Sequence, residues 1–138
     1  MRRSIVGLCF TTFAATAGCS SDGSDINQPG VPSPPANTIS ITFGAENKGV
    51  TAFTPNPLTI SLAAGGVVKW VNNDVGRDDG YGGVVGGAAH NIIADDGSFD
   101  SDTLSPGSTF ETTFVEEGTH PYHCSIHPAM TGEVTVAP

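Results

Sequence analysis

The segment Tyr122-His123-Cys124-Ser125-Ile126-His127-Pro128-Ala129-Met130 sets a thiol, an imidazole and a thioether at intervals of three residues. That donor set matches one well-defined chemistry. Type 1 copper takes two histidine nitrogens and one cysteine sulfur in a trigonal plane, with a methionine sulfur as a weak axial donor. Such a compromise between the geometries preferred by Cu(I) and Cu(II) favours one-electron exchange over substrate binding. Three donors in one short loop require a second imidazole from elsewhere, and His90, 34 residues before Cys124, is the best placed. His123 directly precedes Cys124, so strand alternation turns it to the opposite face. His120 reads as a turn residue, and both it and His123 are expected to be solvated side chains. Taken singly, each donor has an ordinary structural reading: a lone Cys or Met is commonly core filler. Met130, however, is the only methionine apart from the initiator, and it lies in a polar, Gly-flanked loop.

Positioning these donors calls for a framework of short strands. Ile39, Ile41 and Phe43 alternate with polar neighbours, as do Leu58, Ile60 and Leu62 after Pro55 and Pro57. Val67 to Val71 read as a strand carrying the single tryptophan, Trp70. His90 to Ala94 and Thr109 to Phe114 follow, with Phe110 and Phe114 as core candidates. His120 to Cys124 lead into the donor loop, and Gly132 to Val136 close the domain with Val134 and Val136 inward. Seven to eight short strands in about 100 residues, separated by Gly- and Pro-rich turns, predict an all-β Greek-key sandwich or barrel. Asp74 to Ala89 breaks the pattern with sixteen residues that include six glycines, and it runs directly into His90. It reads as a long loop, of the kind tolerated as a surface insertion or kept for function.

The ends of the chain carry different signals. Arg2 and Arg3, the apolar stretch Ile5 to Phe13 and the small residues Ala14 to Gly18 read as an export signal over residues 1–19. The apolar stretch is too short for a membrane-spanning helix. Thr16-Ala17-Gly18-Cys19 resembles a bacterial lipoprotein signal, with Thr16 where a leucine is usual, and predicts lipidation at Cys19. Ser20 to Ala36 hold four prolines and almost nothing apolar, and read as a flexible tether ahead of a domain over 37–138. An exported protein of the periplasm or cell envelope is expected, touching membrane only through that anchor. Cys124 is then the sole thiol of the domain, so no disulfide framework exists within it. Without the signal, Lys48, Lys69 and Arg77 face fourteen acidic residues. Such a surface repels nucleic acid and suits a basic protein partner.

Pro57-Leu58-Thr59-Ile60, Gly66-Val67-Val68-Lys69-Trp70-Val71-Asn72-Asn73, His90-Asn91-Ile92, Pro106-Gly107-Ser108-Thr109-Phe110 and the Cys124 loop resemble, in order, motifs of the cupredoxins. The likeness is to the plastocyanin and amicyanin branch and spans roughly residues 39–136. The two-residue gap between His127 and Met130 is similar to the short ligand loop of amicyanins; plastocyanins generally carry a longer one. The resemblance implies an eight-stranded Greek-key fold with copper at one end, held by His90, Cys124, His127 and Met130. It also implies a hydrogen bond from Asn91 tying the two ligand segments together near Ser125. The insertion at 74–89 departs from the family pattern, which has only a few residues there.

The expected function is electron transfer on one mononuclear copper, exchanged with redox protein partners such as a c-type cytochrome, by a chain acting as a monomer. By analogy with the family, electrons would pass through the edge of His127, near Pro128 and Ala129. Asp95, Asp96, Asp100 and Asp102 are candidates for steering a basic partner. Two alternatives belong to other classes: a copper carrier or store without electron transfer, and a domain that has lost copper and binds a partner or glycan. An enzyme is not expected, since four protein ligands leave no open position on the metal.

Overall fold

The computed structural model describes residues 37–138; the expected signal (1–19) and tether (20–36) lie outside the described residues. Among the described residues there are ten strands: β1 Thr38–Ile41, β2 Phe53–Thr54, β3 Leu58–Ser61, β4 Val67–Asn72, β5 Arg77–Asp78, β6 Val84–Val85, β7 Ile93–Ala94, β8 Thr109–Thr113, β9 Gly118–His123 and β10 Thr131–Ala137. They form one four-stranded sheet in the order β2-β1-β4-β8, a second in the order β3-β10-β9-β7, and the separate hairpin β5-β6. β1 pairs with β4, and β3 with β10, in parallel; the other pairings are antiparallel.

Alternation explains which faces meet. Val68, Trp70 and Asn72 of β4 are buried while their neighbours are not, and Val134 and Val136 of β10 repeat the pattern. One core joins both sheets: Ile39, Ile41, Phe53, Val68 and Trp70 from the first, Ile60, Tyr122, Val134 and Val136 from the second. Tyr122 bridges them, its ring edge-on to Phe53 at 4.9 Å and to Trp70 at 5.5 Å. Phe114 is buried, whereas Phe110 is only partly covered and packs against Trp70 at 5.7 Å.

Three sequence expectations need correction. Residues 90–94 do not form a continuous strand. Only Ile93–Ala94 pairs as β7, and His90 makes a single bridge to Leu104 through two backbone bonds of 3.1 and 2.7 Å. His120 lies within β9 rather than at a turn. The insertion is not structureless, because Arg77–Asp78 pairs with Val84–Val85. Asp79 shapes the hairpin tip by accepting the backbone N–H of Tyr81 and Gly83 at 2.8 and 2.9 Å, an interaction that local sequence rules can foresee but that the glycine content obscured.

Candidate metal centre

Two backbone segments meet at one end of the sandwich. The first is the chain before β7. His90 is held by its bridge to Leu104, and the next residue, Asn91, reaches across to the donor loop. Asn91 Nδ2 donates to Ser125 Oγ, and the Ser125 backbone N–H donates to Asn91 Oδ1, both at 2.8 Å. The second segment is the loop between β9 and β10. The Cys124 N–H donates to the Met130 carbonyl at 3.0 Å, and the Met130 N–H to the His127 carbonyl at 2.9 Å. These bonds curl the loop into a tight turn that holds Cys124, His127 and Met130 together.

Three of the four expected donors converge. Cys124 Sγ lies 4.0 Å from His90 Nδ1 and 3.9 Å from His127 Nδ1, and the two nitrogens are 3.1 Å apart. A metal bonded at ~2.0 Å to nitrogen and ~2.3 Å to sulfur in a trigonal plane would hold its nitrogens about 3.5 Å apart and each about 3.8 Å from the sulfur. The observed triangle matches within a few tenths of an ångström, so the residues present fit a single ion. His90, Cys124 and Met130 are fully buried, whereas His127 is half-buried and flanked by exposed Ile126, Pro128 and Ala129.

The electrostatics favour a thiolate. Burial pushes the Cys124 thiol up, but hydrogen bonding from His90, the backbone N–H groups of Asn91 and His127, and the His127 side chain outweigh it and bring the pKa down to about 6. For His90, burial disfavours the charged ring, yet the hydrogen bonds and charges of Cys124 and Asp74 prevail and raise its pKa.

Asp74 is the residue that sequence reasoning missed. Its Oδ2 lies 2.9 Å from His90 Nε2, with both side chains fully buried. Its Oδ1 accepts the backbone N–H of Gly44 at 2.8 Å and of Gly87 at 3.3 Å. Burial pushes this carboxyl up, but His90 and those two backbone donors more than compensate and hold it below the ordinary carboxylate range. No spacing motif marks it: it is one of fourteen acids, at the foot of an insertion that reads as surface. Glu46, Asp74 and His90 also bring donor atoms within 4.8 Å of one another, but Nε2 is already engaged by Asp74, which makes this group an outer layer to the first.

The other histidines stay apart from the centre. His123 Nδ1 contacts Asp95 Oδ1 at 2.6 Å on the exposed side of β9, on the face opposite Cys124. The His120 ring packs at a tilt of 56° against Phe114, with centroids 4.8 Å apart, and contacts the Glu116 carbonyl at 3.3 Å. Asp95, Asp96, Asp100 and Asp102 are exposed, although Asp96 and Asp100 also cap the backbone N–H of Ser98 and Asp102, each at 2.9 Å.

Comparison with known proteins agrees with this geometry. A family model described as copper binding proteins, plastocyanin/azurin family, matches residues 39–137. The chain is 31% identical over 111 residues to a plastocyanin of Scenedesmus fuscus, an alignment covering 71% of this chain and 98% of that protein. It is 28% identical over 82 residues to an amicyanin of Paracoccus versutus, covering 56% of this chain and 53% of the relative, so the match spans about half of that protein's length. Among solved structures, a purple cupredoxin from Nitrosopumilus maritimus superposes with a TM-score of 0.57 at 31% identity, over 72% of this chain and 98% of that one. The chain therefore belongs to the plastocyanin/azurin family of copper binding proteins. Its fold is the cupredoxin β-sandwich and its cofactor is copper.

Proposed function

We propose that this protein carries single electrons between redox protein partners on one type 1 copper held by His90, Cys124, His127 and Met130. The observation that carries the proposal is the triangle of His90 Nδ1, Cys124 Sγ and His127 Nδ1, with sides of 3.1 to 4.0 Å. Met130 joins the set because its backbone closes the same loop and its side chain is fully buried. Copper in such a ligand set supplies a Cu(I)/Cu(II) couple with little change in geometry.

The chain's own groups do the rest. Asn91 and the loop bonds fix the donors before metal arrives, which limits rearrangement. Complete burial of His90 and Cys124 keeps water from the thiolate. His127 is the one donor ring with partial access to solvent, and its apolar rim of Ile126, Pro128 and Ala129 suits brief, desolvated docking. The exposed acids Asp95, Asp96, Asp100 and Asp102 lie ahead of β8 and favour a basic partner, such as a c-type cytochrome. The proposal extends to location: Arg2, Arg3, the apolar stretch after them and Cys19 support export and lipid anchoring in the cell envelope.

Voltammetry of the copper-loaded protein tests the role. A reversible one-electron wave, with fast exchange to a basic cytochrome that slows as salt rises, is expected. Slow exchange combined with ready loss of Cu(I) to a competing chelator would instead indicate a copper carrier or store.

A further inference from the structure

The insertion at 74–89 is the chain's departure from the family pattern, and the structure ties its feet to the metal centre. Asn72 is fully buried and fully engaged. Its Nδ2 donates to the Ala88 carbonyl at 3.0 Å and the Leu104 carbonyl at 2.9 Å, and its Oδ1 accepts the Asp74 N–H at 3.0 Å. One side chain thus pins both ends of the insertion. Asp74 Oδ1 does the same, taking N–H groups from Gly44 and Gly87. Gly87 adopts φ +87°, and a side chain there would run into the Gly76 backbone at 2.8 Å, so the close approach of the two feet requires a glycine. At the near edge of the hairpin, Arg77 stacks over the Phe43 ring at 4.1 Å.

The pinned carboxylate faces one atom. Asp74 Oδ2 meets His90 Nε2 at 2.9 Å, while Nδ1 of the same ring faces Cys124 and His127. We propose that Asp74 is the positioning residue for His90, and that the insertion holds its carboxylate so that Nε2 keeps its proton and Nδ1 presents a lone pair to copper. The inference rests on the copper reading given above and adds to it the device that sets one ligand's tautomer and basicity. A carboxylate behind a ligating imidazole fixes the ring and makes it a stronger donor. The more highly charged metal state gains more from that donor, so the device favours Cu(II) over Cu(I).

Asp74→Asn is the sharpest perturbation, because it preserves shape and reverses one contact. The amide oxygen can still accept from Gly44 and Gly87, which leaves the NH2 group opposed to the Nε2–H, donor against donor. Preference for Cu(II) over Cu(I) is expected to fall about tenfold, read as a rise of about 59 mV in the one-electron potential. The thiolate-to-copper absorption band should persist, since the other donors are untouched. An unchanged potential would overturn the proposal.

A second measurement needs no variant. Proton NMR of the wild-type protein, metal-free and in the diamagnetic Cu(I) state, should show the His90 Nε2–H far downfield and slow to exchange with solvent. A fast-exchanging or absent signal in both states would also overturn it. Failure of the copper reading is seen separately, as the lack of any charge-transfer band when Cu(II) is added to wild type; the metal-free spectrum still decides the role of Asp74 in that event.

Discussion

Replacing Asn91 with Ala tests how the two halves of the metal centre are joined. The Asn91 side chain makes two hydrogen bonds of 2.8 Å to Ser125, one in each direction. Each such bond contributes about 0.5–1.5 kcal/mol net. Ser125 is exposed, so water can take over its freed N–H and hydroxyl, and the full penalty for a stranded buried donor does not apply. A loss of about 1–2 kcal/mol is therefore expected in the metal-free protein, the lower part of the two-bond range. For a domain of about 100 residues this lowers Tm by about 4–8 °C per kcal/mol. The assay is thermal and denaturant unfolding of metal-free and copper-loaded protein, together with the rate of copper loss to a chelator. The loss rate should rise, because the His90 segment is no longer tied to the Cys124 loop. Ser125→Ala removes only the Nδ2 to Oγ bond and should cost less than Asn91→Ala. The double variant should show coupling, since the two residues are partners. Unchanged stability and an unchanged copper loss rate in Asn91→Ala would refute the idea that this pair fixes the centre.

Met130→Leu keeps the buried volume and removes the thioether, so the reduction potential should rise by about 59 mV for each tenfold shift toward Cu(I); voltammetry showing no rise would remove Met130 from the ligand set. Gly132→Ala would drive a methyl group into the buried Tyr122 ring, and overpacking of this kind should cost about 1–3 kcal/mol by denaturant unfolding. In the metal-free protein, ultraviolet titration of the Cys124 thiolate should give a pKa of about 6, against ~8.5 for a free thiol. Because the folded value is the lower one, the thiolate's contribution to stability is complete above the unfolded thiol's pKa and disappears as pH falls through about 6. A titration at the ordinary thiol value would show that the surrounding donors do not act on the sulfur.

Much of this architecture is written in alternation and turn chemistry. Trp70, Val134 and Val136 point inward as their strand positions demand, and the two-sheet sandwich follows from the spacing of such segments. The donor loop was legible because Cys124, His127 and Met130 are local, and a rare combination of side chains needs no tertiary information. His90 was legible only by elimination among four histidines and by resemblance, since its place depends on a bridge to Leu104 that no periodicity encodes. Asp74 was not legible at all. Its partners Gly44, Gly87 and His90 lie 30, 13 and 16 residues away, and each contact depends on the fold being complete. The hairpin at 77–85 was hidden by its glycines, which weaken strand propensity while enabling the turn.

Visible absorption of the protein titrated with Cu(II), in wild type and in Cys124→Ser, tests copper–thiolate bonding at this centre. Saturation at one copper per chain is expected, with intense thiolate-to-copper charge transfer in wild type and none in a Cys124→Ser variant that remains folded by circular dichroism. An intense band that survives the loss of Cys124, or its absence from copper-loaded wild type, would show that the Cys124 thiolate does not bind copper.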